Sequence, residues 1–272
     1  MLTMSSFFFR FVPFIRFYVK AVTKYQLHSP FVFELAETVL DNKKWYYAFR
    51  EVEVIRRQML RSKKRIQIQD SITGQNCEVE IGKLADRSAG AVCQGRMLFR
   101  LANWLNPTTM LELAVSADVG PLYLASGASE SNFVCLEENS DLAQLAQVNL
   151  AQLRLKHRAV VQDGLSEIHL QNAMNELKSL DLVFFHGERC KKSAVAYFEQ
   201  CLPHAQAGTV FVFDNVHGSP EMQRNWDSIQ QHPRVTLCVD FFELSLAFIN
   251  PDFKEKQHLC IVPASWKIWR FF

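Results

Sequence analysis

Five apolar runs in the middle of this sequence end on polar residues that could do chemistry. "TMLELAV" gives way after Val115 to "SADVGPLYLAS"; "NFVCLE" ends on Glu137 with Glu138 behind it; "AVVQD" ends on Asp163; "LDLVFF" is followed by His186; "GTVFVFD" ends on Asp214 with Asn215 next. A carboxylate placed like Glu137, at the end of an apolar strand, can accept hydrogen bonds from both hydroxyls of a ribose. Asp163, followed by Gly164, could stand beside an adenine amino group, and it reads equally as a turn before a helix. Asp214 and Asn215 are adjacent hard oxygen donors of the kind that bind magnesium or calcium. His217 lies two residues on, and His186 at the neighbouring strand end would shift the preference toward manganese or zinc. Taken singly, each of these residues is also an ordinary helix cap. Five in register argue instead for a ligand crevice along one edge of a sheet.

The elements that must position these residues follow from the pattern. Between the runs lie helix-like stretches near residues 119–127, 140–155, 165–178, 191–203 and 219–231, and such alternation is the mark of a parallel sheet covered on both faces. In "RVTLCVDFFELSLAFI" (234–249) two strand-like runs are joined by almost nothing, which excludes a parallel crossover and requires a hairpin. "HLCIVP" (258–263) offers a further edge strand. The expected fold is therefore α/β: a mostly parallel seven-stranded sheet with a C-terminal antiparallel hairpin, over residues 89–272. Residues 1–88 form a helical extension before it. There, Ser29 is placed to cap a helix whose first residue is Pro30, and Trp45, Phe49, Val52, Ile55 and Met59 recur at helical spacing through a stretch whose arginines form the solvated face. "REVEVIRRQMLRSKKRIQ" (50–67) reads as part of that amphipathic helix, and "TGQNCE" (73–78) reads as a loop.

Composition narrows the function classes. Residues 1–65 hold 13 Lys and Arg against 5 Asp and Glu, so the extension is basic. Helical spacing of its apolar residues makes a solvated face a better reading than a nucleic-acid surface. "FFFRFVPFIRFYVKAV" is interrupted by Arg10, Pro13 and Arg16, which leaves no run long enough to span a membrane. An interfacial or partner-binding helix stays open there. The seven cysteines have no CxxC spacing, which excludes a zinc ribbon or thioredoxin motif and reads as reduced thiols in a cytoplasmic protein. No GxSxG, P-loop, HExxH or GxGxxG motif is present.

With these pieces in order, the chain resembles the class I S-adenosylmethionine-dependent methyltransferases, in particular a bacterial set related to the catechol O-methyltransferase type. "HSPFVFEL", "GRMLFRLANWLNP", "LELAVS", "CLEENSDLAQLAQVNLAQL", "LDLVFF", "AYFEQCLP" and "VFVFDNVHGSPEM" carry the resemblance over nearly the whole length. It implies a Rossmann-like class I methyltransferase fold with S-adenosyl-L-methionine as cofactor. The cofactor turn would fall on Glu112 to Gly120, with Ala114, Ser116 and Asp118 inside it, the ribose acid on Glu137 and the adenine-side acid on Asp163. Metal or substrate positions would fall on His186, Asp214 and Asn215, with His186 or His217 as base. The chain departs from the family at three places. Ala114 and Asp118 stand where glycines are usual, His186 stands at a strand end that commonly carries an acid, and Arg189 stands near the usual lysine base. The implied activity is O-methylation of a small-molecule acceptor. The alternative is a relative without catalysis that serves as a binding or assembly module, and a homodimeric state stays open.

Overall fold

The computed structural model describes residues 4–69, 76–87, 91–115, 119–154, 158–190 and 194–267. Its strands are β1 (Arg65–Gln69), β2 (Asn76–Glu80), β3 (Thr109–Leu113), β4 (Asn132–Glu137), β5 (Ala159–Asp163), β6 (Leu180–Phe185), β7 (Ala205–Asp214), β8 (Leu237–Asp240), β9 (Leu244–Ile249) and β10 (Gln257–Cys260). Its helices are α1 (Met4–Lys20), α2 (Pro30–Leu35), α3 (Tyr47–Arg61), α4 (Ile81–Arg87), α5 (Ala91–Leu105), α6 (Gly120–Gly127), α7 (Ser140–Gln152), α8 (Glu167–Leu177), α9 (Gly187–Cys190), α10 (Ala194–Cys201) and α11 (Pro220–Gln231). Two compact units divide the chain: Lys43–Leu182, and Met1–Asn42 together with Val183–Phe272. The division falls inside β6, so each unit draws on part of the helical extension.

In the unit Lys43–Leu182 the strand order is β6-β3-β4-β5. β3, β4 and β5 run parallel, and the register sets Glu112 beside Cys135 and Glu137 beside Asp163. Every residue of β3 is buried, as expected of a strand covered on both faces. The helix expected over the arginine-rich stretch is present as α3, which buries Phe49, Val52, Ile55 and Met59, whereas Trp45 precedes it and is exposed. It stops at Arg61 instead of running to residue 67. "RIQIQ" alternates isoleucine with polar residues, a period of two, and pairs as β1 with β2 in an antiparallel hairpin that sets Ile66 opposite Val79. Residues 76–78, read as loop, belong to β2.

The second unit has the order β10-β8-β9-β7-β6. β9 runs antiparallel to both β7 and β8, which is the expected hairpin, and β10 adds at the edge parallel to β8. The sheet thus has eight strands, the eighth being the edge strand within "HLCIVP". Ser29 caps α2 as its sequence predicts, its Oγ accepting from the Val32 amide at 3.4 Å with Pro30 at the first helical position. α1 is tethered beyond its last residue: the Val22 amide donates to the Cys260 carbonyl at 2.8 Å, and the Val262 amide donates to the Val22 carbonyl at 3.0 Å. Among the described residues no helix is long and apolar enough to cross a membrane.

Candidate functional site

In the unit Lys43–Leu182, one group of candidate residues lies at the carboxyl ends of β3, β4 and β5. Ala114, just past β3, has a φ of 60°, the left-handed region that glycine enters without cost and alanine does not. Its amide donates to the Leu136 carbonyl at 2.9 Å, and the Val115 amide reaches the same oxygen at 3.3 Å. Alanine here holds a backbone form that glycine takes more readily. Ser116 and Asp118 lie outside the described residues. Gly120 opens α6 and is buried.

Glu137 ends β4 with no exposed surface, and its Oε1 accepts the Asn139 amide at 2.9 Å. Asn139 also caps α7 by accepting from the Leu142 amide at 3.0 Å, and its Nδ2 donates to the Gln67 carbonyl at 2.7 Å. Gln67 answers by donating its amide to Asp141 at 2.9 Å, so the β1–β2 hairpin is stitched to the loop that holds Glu137. In the sequence only the helix-start position of Asn139 hints at this role, and nothing marks Gln67. Asp163, beside Glu137 in register, is exposed, and the Gly164 amide donates to the Glu137 carbonyl at 2.7 Å. Glu112 is enclosed and accepts a weak hydrogen bond from the Cys135 thiol at 3.9 Å. Burial, then the Glu112 charge, raises the Cys135 pKa.

The other unit holds its own group of candidate residues. His186 follows β6 and is buried, with its Nδ1 at 3.5 Å from Asp214 Oδ2. Asp214 Oδ1 accepts the Gly187 amide, and a Cβ at Gly187 would lie 2.3 Å from the Asp214 carbonyl oxygen, so only glycine fits. Asn215 takes a φ of 47°, which asparagine tolerates, and its amide donates to the Glu243 carbonyl at 3.2 Å. His186, Asp214 and Asn215 are thus brought to one strand-end cluster. Among the described residues no three His, Cys, Asp or Glu side chains gather as a cation site. His186 and Asp214 form a pair, with Asn215 next in the chain.

His217 belongs to a different network. Its Nε2 is 2.7 Å from Asp240 Oδ2 and its Nδ1 is 2.8 Å from Gln223 Oε1. Gln223 Nε2 donates to Asp227 at 2.9 Å, which turns the amide oxygen toward the ring. Both ring nitrogens therefore face acceptors, and the doubly protonated imidazolium satisfies both. Burial works against that charge, yet the hydrogen bond to Asp240 and the carboxylate charge outweigh it, and the His217 pKa is raised. This network lines a cavity of 690 Å³ that Arg16, Lys20, Trp226 and His258 also border. The backbone of Arg189 is in α9.

The fold is that of the S-adenosylmethionine-dependent O-methyltransferases, as solved structures show. The chain is similar to the Bacillus cereus O-methyltransferase in complex with SAH, at 21% identity and a TM-score of 0.52, over 79% of this chain and 95% of that one. It is similar also to the O-methyltransferase TomG of Streptomyces achromogenes, solved with SAM, at 17% identity and a TM-score of 0.53, over 80% and 94%. With the SAH-bound methyltransferase PaMTH1 of Podospora anserina it shares 14% identity at a TM-score of 0.55, over 82% and 97%. At these identities the likeness establishes the fold. No protein-family model matches the sequence, and no curated protein is similar to it at a significant level.

Proposed function

We propose that this protein is an S-adenosylmethionine-dependent methyltransferase that acts on a small molecule, at oxygen. The observation that carries the reading is Ala114: a buried non-glycine residue keeps a left-handed backbone at the turn between β3 and α6. Such strain costs roughly 1 kcal/mol and collects at functional turns. The acids at the ends of β4 and β5 have the chemistry for a nucleoside, since carboxylates accept from ribose hydroxyls and from an exocyclic amine. S-adenosylmethionine, when bound, supplies the electrophilic methyl group. In the proposal Glu112, Glu137 and Asp163, with the Ala114–Gly120 turn, hold the cofactor.

Proton handling falls to His186. It is the histidine at the strand-end cluster, and Asp214 stands at 3.5 Å to stabilise the imidazolium that forms when an acceptor hydroxyl gives up its proton. His217 is disfavoured as base because acceptors face both of its nitrogens. Asn215 is proposed as a contact to the acceptor.

One observation favours a second reading, a binding or assembly module without catalysis. The Glu137 carboxylate is fully buried and already accepts from its own loop, so it is not offered to a ribose in this conformation. Titration calorimetry with S-adenosylmethionine and S-adenosylhomocysteine separates the two. Binding that Glu137→Gln weakens supports the enzyme reading; a folded protein with no heat of binding at millimolar ligand sinks it.

A further inference from the structure

Over residues 11–20 the outer face of α1 is apolar although its inner face already has a partner. Phe17 and Ala21 are buried with Phe242 and Val262, and Phe14 and Tyr18 pack against that cluster. On the other side Phe11, Val12 and Ile15 are each 46% exposed and Val19 is 68% exposed. At about 100° per residue these four share one sector of the helix, and Arg16 and Lys20, both exposed, come next around the axis. Trp266, 47% exposed, extends the surface: its ring is 6.0 Å from Phe14 and its carbonyl accepts the Tyr18 hydroxyl at 2.8 Å. α1 contains Arg10, Arg16 and Lys20 and no acidic residue.

We infer that this stripe docks the protein on an anionic membrane surface. α1 lies in the interfacial plane, with Phe11, Val12, Ile15 and Val19 against the acyl boundary, Arg16 and Lys20 at the level of the lipid phosphates, and Trp266 in the interfacial layer. Charge selects this occupant. An apolar stripe bordered by Arg16 and Lys20, on a helix that carries no acid, matches a negative lipid surface. A second copy of α1 would bring cations of like sign along the same seam. Core packing does not explain the stripe, because the opposite face supplies the core. The inference stands independently of methyl transfer.

Sedimentation of the full chain with phosphatidylcholine vesicles, with and without phosphatidylglycerol, tests it. Binding is expected to the anionic vesicles, at least about tenfold stronger than to neutral ones, and falling as salt is raised. Val19→Glu and Ile15→Glu each lower it by about tenfold or more, and Arg16→Gln by about fivefold. Circular dichroism melts of the variants are expected to match the parent, because the altered side chains are exposed. The inference is overturned by any of three results: no binding to anionic vesicles, equal binding by Val19→Glu, or a concentration-dependent dimer that Val19→Glu dissociates.

Discussion

His217 and Asp240 form a hydrogen-bonded ion pair at 2.7 Å on a shelf of strained backbone. Asp240 also accepts from the Phe242 amide at 2.8 Å and the Ser245 hydroxyl at 3.1 Å. Phe242 itself holds a φ of 72°, unusual for a bulky side chain, and its ring stacks on His217 with centroids 4.9 Å apart. The pair, the stacking and the left-handed residue support one another, because each fixes the tip of the β8–β9 hairpin that the others need.

A pH dependence of stability follows from this pair. The His217 pKa is raised in the folded state, so its charge favours the native form fully below the unfolded value of about 6.5 and the benefit disappears as pH rises through the folded value. Urea unfolding should show the gap between the parent protein and His217→Gln narrowing from pH 6 to pH 9. Below the transition the substitution should cost about 3 kcal/mol, since it leaves a buried carboxylate without its cation. A gap that widens with pH would show that His217 is neutral in the fold.

In the unit Lys43–Leu182, α5 meets α6 at Gly95, where an added Cβ would lie 2.2 Å from the Tyr123 ring. Tyr123 is fully buried and donates to Glu53 at 3.1 Å, so it has little freedom to retreat. Gly95→Ala should cost about 2 to 3 kcal/mol by overpacking. Combining it with Tyr123→Leu should recover part of that loss, which additive behaviour would not allow. Thermal melts of the two single variants and the double variant measure the coupling.

The seven cysteines are all free, and their environments rank their reactivity. Burial pushes the Cys201 and Cys238 thiols up to about 12 and Cys260 up to about 11. Cys93 is exposed on α5. Brief treatment of the native protein with iodoacetamide at pH 7.5 should therefore modify Cys93 first, as read by peptide mass spectrometry, while Cys135, Cys190, Cys201 and Cys238 react only after unfolding. Early labelling of Cys201 would show that its surroundings open in the native state.

Strand ends could be read from the sequence because burial on both faces leaves a run of apolar residues, and the first polar residue after it marks where the sheet stops. Glu137, Asp163 and Asp214 end their strands and His186 follows directly. The hairpin of 237–249 was readable for a related reason, since two runs with three residues between them can join only antiparallel. β1 is not legible in the sequence because five alternating residues beside a strong helical stretch carry a weak signal, and its pairing with β2 is tertiary information. The engagement of His217 by Asp240 and Gln223 was invisible for the same reason: Asp240 is 23 residues away, and nothing in "DNVHGS" names its partner.

Ala114 allows a test that separates adaptation from damage. Its residue is 2% exposed and its φ of 60° places the Cβ against its own backbone. Glycine removes that cost of about 1 kcal/mol but adds freedom to the unfolded chain, so Ala114→Gly should stabilise by about 0.5 kcal/mol net. Valine adds branching at a left-handed position within a filled core, and Ala114→Val should destabilise by about 3 kcal/mol. Stability in the order glycine, alanine, valine would confirm the backbone; valine equal to alanine would refute it. Cofactor affinity then adds the functional half of the test. A methyl group that crowds the ligand predicts tighter S-adenosylmethionine binding by Ala114→Gly in calorimetry. Unchanged or weaker binding would mean that the alanine methyl does not crowd the ligand.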